Sequence, residues 1–372
     1  MKIATLTFHG AHNFGSSLQS FALQTVIENL CKEKSEPCEY SIINYRTKLQ
    51  KDLYALIPKE RGIKGVIKLM MRLPYYSQYK KKYEKFEDFI ANDLNTGEEV
   101  STLEEIKEKY KDIDVYLGGS DQIWNVRSFD FSSVYYLPFE NSKKISYAAS
   151  FGPLKIDWAK YNKEEIANYL KDYDAISVRE EGSADNVEEL TQIRPEVHVD
   201  PTMLLSKEEW REVSSGATYK GGNYILLYCL EPSKEQLKMA KQISKKLRLP
   251  VVITKYNNKN DYFNGFKKLY WTGPKDFVSL IDNASLVLTS SFHGTAFSLI
   301  FNKKFYAFNG MKDKRISNVL VKSNMQSRSI NSFEDIQDVN LDELDFSSAN
   351  EFILEEKQKS IDYLKGALFS KS

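Results

Sequence analysis

The residues best suited to chemistry lie in Leu288-Thr289-Ser290-Ser291-Phe292-His293-Gly294-Thr295-Ala296-Phe297, which holds one of only four histidines in the chain. Residues 285–288 read as a buried strand and 295–301 as the first turns of a helix, so His293 and Gly294 are expected at the junction. In an open α/β sheet such junctions bind ligands. A helix beginning there offers backbone N–H groups to an anion, and an imidazole moves a proton near neutral pH. Anion binding coupled to proton transfer is the chemistry implied, with a packed, hydrogen-bonded histidine as the alternative.

Three more junctions join strand ends to polar groups. Phe8-His9-Gly10-Ala11-His12-Asn13-Phe14-Gly15-Ser16-Ser17-Leu18-Gln19 leads from a first strand into a helix, and Asn13, Gly15, Ser16 and Gln19 suit a polyol through close backbone approach and hydrogen bonding. GxGxxG spacing is absent, which argues against a dinucleotide, and His9 and His12 have no Cys or HExxH partner for a metal. At Leu117-Gly118-Gly119-Ser120-Asp121-Gln122-Ile123-Trp124-Asn125, two glycines turn the chain and would expose Ser120, Asp121 and Gln122 beside an indole able to stack on a sugar. There Asp121 could act as a base towards a hydroxyl; a capping aspartate with a core tryptophan is the other reading. Arg179 ends the strand Ile176-Ser177-Val178, where its planar fork suits a carboxylate or phosphate, or else pairs with Glu180 or Glu181. No Walker sequence, nucleophile elbow or paired-cysteine metal signature occurs.

These junctions need a scaffold, and the apolar periodicity supplies one. Strands are expected over 2–8, 40–45, 114–119, 144–150 and 175–179, with helices over 15–30 and 163–170. After a break near Val199-Asp200-Pro201-Thr202 the rhythm restarts, with strands over 224–230, 250–254, 285–288 and 304–308 and helices over 234–247 and 274–283. This βαβ alternation implies parallel sheets covered by helices. The expected division is a first α/β domain over 1–200, a second over 201–340, and a closing helical segment over 341–372 that packs back on the first.

A chain of 372 residues is long for one core, and a net charge of +1 gives no global attraction to nucleic acid. The start lacks a long apolar stretch and a cleavage site, and no window approaches 18 uninterrupted apolar residues, so a cytoplasmic protein is expected. Cys31, Cys38 and Cys229 form an odd set without CxxC spacing and are expected as buried thiols. One segment breaks the rhythm: residues 59–85 hold nine Lys or Arg against two Glu, interleaved with apolar side chains. As a basic helical insertion over 59–90 of the first domain, it could lie on an anionic membrane surface or meet a lipid-linked substrate; a solvated surface hairpin is the alternative.

Taken in order, several segments resemble the polysaccharide pyruvyl transferase family. They are N-F-G-S-S-L-Q-S-F-A-L-Q from Asn13, G-G-S-D-Q-I-W-N from Gly118, S-Y-A-A-S-F-G from Ser146, S-V-R-E from Ser177, D-P-T from Asp200, G-P-x-x-F from Gly273 and T-S-S-F-H-G-T-A-F-S from Thr289. The resemblance implies a GT-B-like fold, two Rossmann-like domains facing across a cleft. It also implies transfer of pyruvate from phosphoenolpyruvate to a sugar diol as a cyclic ketal. The family's donor contacts carry over to His293 and Arg179, and we group Ser290, Ser291, Phe292, Gly294, Thr295 and Arg315 with them. Asp121 then serves as the second catalytic residue, with Asn13, Gly15, Ser16, Gln19, Ser120, Gln122 and Trp124 on the acceptor.

Phosphoenolpyruvate enters as co-substrate, and the scheme calls for no metal or other cofactor, because Arg179, His293 and the helix dipole supply positive charge. Many relatives carry an arginine two residues before the motif histidine; here that residue is Ser291, and Arg315, Lys314 or Lys255 would have to restore the charge. The expected setting is surface polysaccharide assembly, such as capsule or exopolysaccharide. The acceptor would be carried on a lipid diphosphate and the enzyme would sit peripherally at the inner membrane face. A nucleotide-sugar-dependent glycosyltransferase would use the same fold. A non-catalytic sugar-binding subunit of an assembly complex is the reading that Ser291 favours.

Overall fold

The computed structural model describes every residue except 35–36, 57–69, 71–72, 129, 141, 218, 220, 255–263, 337–342 and 371–372. Two compact units result: Met1–Leu69, Glu87–Leu204 and Glu356–Ser372 form one, Met70–Phe86 and Leu205–Glu355 the other.

In the first unit β1 (Lys2–Leu6) runs into α1 (Phe14–Lys32), followed by β2 (Glu39–Ile42), α2 (Lys48–Tyr54), α3 (Tyr76–Asn92, whose residues from Glu87 onward belong here), α4 (Leu103–Lys109), β3 (Val115–Gly118) and β4 (Lys143–Ser146). The strands pair in the order β2-β1-β3-β4, all parallel. α5 (Lys163–Lys171), β5 (Ser177–Val178), α6 (Glu181–Thr191) and β6 (Glu196–Val197) continue the alternation, and β5 pairs β6 in parallel. All four residues of β3 are buried, as expected of a central strand covered on both faces. Asn13 starts α1 by accepting the N–H of Gly15 at 3.0 Å, and most of the helix is buried, including Leu18, Ala22, Leu23 and Ile27.

The second unit holds α7 (Lys207–Val213), β7 (Ile225–Tyr228), α8 (Lys234–Leu247), β8 (Val251–Ile253), β9 (Lys267–Lys268), α9 (Pro274–Asp282), β10 (Leu286–Thr289), α10 (Phe292–Ile300), β11 (Phe305–Phe308), α11 (Lys314–Lys322) and β12 (Ser329–Ile330). Its order, β12-β11-β10-β7-β8-β9, is doubly wound: the chain builds outward from β7 on one side, then crosses over and builds outward from β10 on the other. Ser233 and Gln236 form a capping box at the start of α8, which buries Leu237, Ala240 and Ile243 on one face.

The last helix, α12 (Ser347–Phe369), places its residues from Glu356 onward in the first unit, where the Tyr363 hydroxyl donates to the Ser146 carbonyl at 2.9 Å. Among the described residues no helix is long and apolar enough to cross a membrane.

Two expectations change here. Cys31 and Cys38 are joined in a disulfide across the end of α1 and the start of β2, so only Cys229 is a buried thiol. Counting cysteines cannot show that a helix–strand connection brings this pair together. Of the basic segment, Met70 and residues 73–86 belong to the second unit and not to an insertion of the first, whereas residues 87–90 do belong to the first. Tyr75 and Tyr79 pack on Tyr270, Lys85 pairs with Asp276 at 2.5 Å, and Lys81 and Lys85 lie over Trp271. A Cβ on Gly273 would stand 2.6 Å from that of Lys85, so the glycine of G-P-x-x-F admits the lysine stem. Residues 59–69 and 71–72 of the segment lie outside the described residues.

Candidate functional site

In the second unit, β7 and β10 are the adjacent strands from which the sheet winds in opposite directions, and the Thr289 hydroxyl joins their carboxyl ends by donating to the Tyr228 carbonyl at 2.7 Å. The same oxygen accepts the Ser291 N–H at 3.0 Å. Ser291 is the N-cap residue, and α10 starts at Phe292, three residues before the expected Thr295. His293 and Gly294 therefore occupy the first helical turn, because Thr289 captures the chain as it leaves the strand.

The ring of His293 lies edge-on to Phe292 at 5.3 Å, and the residue is 9% exposed. A Cβ on Gly294 would stand 2.2 Å from the Thr289 hydroxyl oxygen, so glycine is required for this close helix–strand approach. No acidic side chain occupies the first turn, which leaves the helix dipole suited to an anion. The Thr295 hydroxyl is buried and donates to the Ser291 carbonyl at 3.2 Å. Half-buried Ser290 hydrogen-bonds the Cys229 thiol, whose pKa burial pushes up to about 11 against that bond.

Arg315 does not offer an uncommitted charge in place of the family's arginine. It grips Asp313, the N-cap of α11, through Nη2 at 2.7 Å and Nε at 3.1 Å. Lys314 is exposed, and Lys255 lies outside the described residues.

In the first unit the corresponding crevice lies between β1 and β3, where α1 and β2 fall to one side and β4 to the other. Ser16, in the first turn of α1, donates to Asp121 Oδ2 at 2.5 Å, and the N–H of Gln122 donates to Oδ1 at 2.9 Å. Asp121 has φ 76°, a left-handed conformation that aspartate tolerates better than most residues. Half-buried Asn13 and Gln122 flank it in sequence on the two loops.

Arg179 reaches the same carboxylate: Nη2 lies 3.8 Å from Asp121 Oδ1, Nε lies 3.6 Å from Glu180 Oε2, and Nη1 donates to Asp200 Oδ2 at 2.8 Å. Burial alone would lower the arginine's pKa, but Asp200, Glu180 and Asp121 together hold it above its ordinary value. Glu181, the other expected partner, pairs with Arg194 at 2.7 Å.

Three acceptor assignments do not survive. Trp124 is fully buried, its Nε1–H donating to the Tyr135 carbonyl at 3.2 Å and its indole stacking on Tyr136, so it is a core residue and no sugar platform. Gln19 is buried and donates to Thr7, Ser20 and the Ser16 carbonyl. Ser120 is buried and directs its hydroxyl to Asp200 at 3.4 Å. Gln19 lies on α1, and on the loop after β3 Ser120, Asp121, Ile123 and Trp124 are all buried, so neither stretch shows a periodicity from which a sequence could tell inward from outward side chains.

Sequence reasoning also passed over a cluster at the end of β2. Glu87 accepts Arg46 through both oxygens, at 2.8 and 2.9 Å, and His12 Nε2 lies 2.7 Å from Oε1, with its ring stacked on Tyr54. His9, by contrast, is wholly buried between the Thr7 carbonyl and Asn44, and burial lowers its pKa.

Burial raises the Glu87 carboxyl, but His12 and Arg46 outweigh it and pull the group down to about 2. Its folded pKa lies below its ordinary 4.5, so the stabilisation is complete above that value and drains away as the pH falls towards about 2. Glu87→Gln should therefore melt lower than wild type at pH 6, and its melting temperature should fall less steeply between pH 5 and 3. Parallel melting curves across that window would remove the assignment.

A sequence profile of the polysaccharide pyruvyl transferases matches residues 13–310, most of the chain. The chain belongs to this family. Both crevices of this family member, from Asn13 to Asp121 and from Thr289 to Thr295, lie inside the matched span. No curated protein matches the sequence.

Among solved structures, S. aureus MnaA in its co-structure with UDP is 10% identical, covering 99% of this chain and 96% of that one, with a TM-score of 0.52. UDP-N-acetylglucosamine 2-epimerase from Rickettsia bellii is 13% identical over all of both chains, with a TM-score of 0.49. E. coli heptosyltransferase WaaC with ADP is 10% identical over 96% of this chain and all of that one, at 0.42. The likeness to MnaA is one of fold, and the pyruvyl transferase family member is α/β and GT-B-like, with parallel sheets covered by helices.

Proposed function

We propose that this family member moves the pyruvyl group of phosphoenolpyruvate onto a sugar diol as a cyclic ketal, during assembly of a surface polysaccharide. The observation that supports the reading most is the position of the motif histidine. His293 stands in the first turn of a helix at the point where a doubly wound sheet changes direction, and no acidic side chain competes for that helix start.

Phosphoenolpyruvate carries a carboxylate and a phosphate. His293 donates a proton to the methylene carbon C3, which makes C2 electrophilic; in its alternative role it holds the phosphate and a water molecule delivers that proton. One acceptor hydroxyl attacks C2 while Asp121 takes its proton. The second hydroxyl displaces inorganic phosphate, closing the ketal with C3 now a methyl group. Ser16 and the Gln122 N–H hold Asp121 for this task. Asn13 and Gln122 contact the acceptor, which a lipid diphosphate carries at the inner membrane face. Exposed Met70, Leu73 and Tyr76, within the basic segment, support that last point.

The test incubates purified protein with phosphoenolpyruvate and p-nitrophenyl hexosides bearing free 4,6 or 3,4 diols. Phosphate release with a matching mass gain on the sugar is expected. Stabilisation by UDP, with neither phosphate release nor stabilisation by phosphoenolpyruvate, would replace this reading with glycosyl transfer.

A further inference from the structure

In the first unit, the segments that follow β1, β2 and β3 converge on Tyr54, the last residue of α2. Thr47 caps this helix by accepting the Gln50 N–H at 3.2 Å, and the buried Gln50 amide donates to the Tyr135 hydroxyl at 3.2 Å. Tyr54 follows Gln50 by four residues and so shares its face of the helix. Its ring stacks on His12, from the loop between β1 and α1, with centroids 5.3 Å apart and planes 28° apart.

His12 is itself held in place. Glu87 faces its Nε2 at 2.7 Å and accepts both terminal nitrogens of Arg46, and Arg46 lies along Gly10, where a Cβ would stand 3.0 Å from its Cγ and Nε. The cluster at the end of β2 thus fixes the imidazole on which the half-buried Tyr54 lies. Burial raises the pKa of the Tyr54 hydroxyl, and the charges of Asp130 and Asp121, from the chain after β3, raise it further. The phenol therefore stays neutral, a hydrogen-bond donor near two carboxylates. Among the described residues no group hydrogen-bonds that hydroxyl, although a phenol in such surroundings normally has a partner.

A sugar complements this set of groups. Its C–H face packs on an aromatic ring, its oxygens accept from a phenol, and its hydroxyls donate to carboxylates. We propose that Tyr54 is a specificity-determining contact of the acceptor sugar, packing its ring against the sugar and donating its hydroxyl to a sugar oxygen; this rests on the pyruvyl-transfer reading above. Tyr54 then supplies the aromatic surface that Trp124, committed to the core, does not. The Arg46, Glu87 and His12 chain acts by fixing that surface.

Initial rates of phosphate release give KM for the p-nitrophenyl hexoside that wild type accepts and, separately, for phosphoenolpyruvate, in wild type, Tyr54→Phe and Tyr54→Ala. Tyr54→Phe keeps the ring and loses the hydroxyl, so its acceptor KM should rise about 3- to 10-fold. Tyr54→Ala loses both, and a rise of about 10- to 100-fold is expected. In each variant kcat at saturation and the phosphoenolpyruvate KM should stay within about twofold of wild type. Equal rises in both KM values, or a loss of kcat with the acceptor KM unchanged, mark a structural tyrosine and overturn the proposal. So does a wild-type acceptor KM in Tyr54→Phe, whether or not the alanine variant folds. A wild-type protein that releases no phosphate from phosphoenolpyruvate with any of the hexosides overturns the functional reading itself, and this assignment with it.

Discussion

Replacing His293 with alanine is expected to lower kcat for phosphate release by about 10²–10⁴-fold, the usual worth of a positioned acid or base. The change leaves the turn intact, because α10 is started by the Thr289–Ser291 contact and not by the imidazole. Melting temperature should therefore move far less than activity. His293→Gln divides the two roles open to the residue. An amide can hydrogen-bond a departing phosphate but cannot deliver a proton to C3, so recovered activity points to phosphate binding and continued inactivity to proton donation. A kcat within about threefold of wild type in the alanine variant would move the acid elsewhere.

The largest effect on stability is expected at Trp124. Its indole is fully buried, stacks on Tyr136 at 5.7 Å and packs against Phe151 and Tyr173. Truncation to alanine removes that surface and opens a cavity that aromatic neighbours cannot close, a loss of about 3–5 kcal/mol. For a unit of this size that corresponds to a melting temperature lower by roughly 6–20 °C. Trp124→Phe keeps most of the packing and gives up the bond to the Tyr135 carbonyl, so about 1 kcal/mol should be lost. An unchanged melting temperature with a raised acceptor KM would restore the sugar-platform reading.

These two residues mark where the sequence was informative. Both lie in motifs that end an apolar run with glycines or small polar residues, and both were singled out for chemistry. His293 stands at the strand-to-helix junction expected of it, because strand, turn and helix start are local events written within about ten residues. Trp124 does not face a ligand, because the direction of a side chain on the loop that follows β3 depends on what packs above it. The indole found Tyr136 and Phe151, which reach it from other parts of the chain.

The charged groups divide the same way. That Arg179 ends a strand was visible in Ile176-Ser177-Val178, but the choice of Asp200 over Glu181 was not. Glu181 is near in sequence yet begins α6 and turns to Arg194, whereas Asp200 approaches from 21 residues away along the returning chain. The Ser16–Asp121 bond closes over 105 residues, and Glu87 reaches His12 over 75. Ser291 was legible as a missing charge; that Arg315 is committed to Asp313 was not.

The sequence by itself determined the alternation of strands and helices, the family, and the strand ends where polar residues collect. Each follows from short-range periodicity and from motifs kept in order. Only the tertiary structure decided the strand order that makes two of those ends into crevices, the pairing of the cysteines, and which polar groups are spent on one another. Such pairings join residues distant along the chain, and burial settles them, because a buried charge must find a partner wherever the packed chain supplies one.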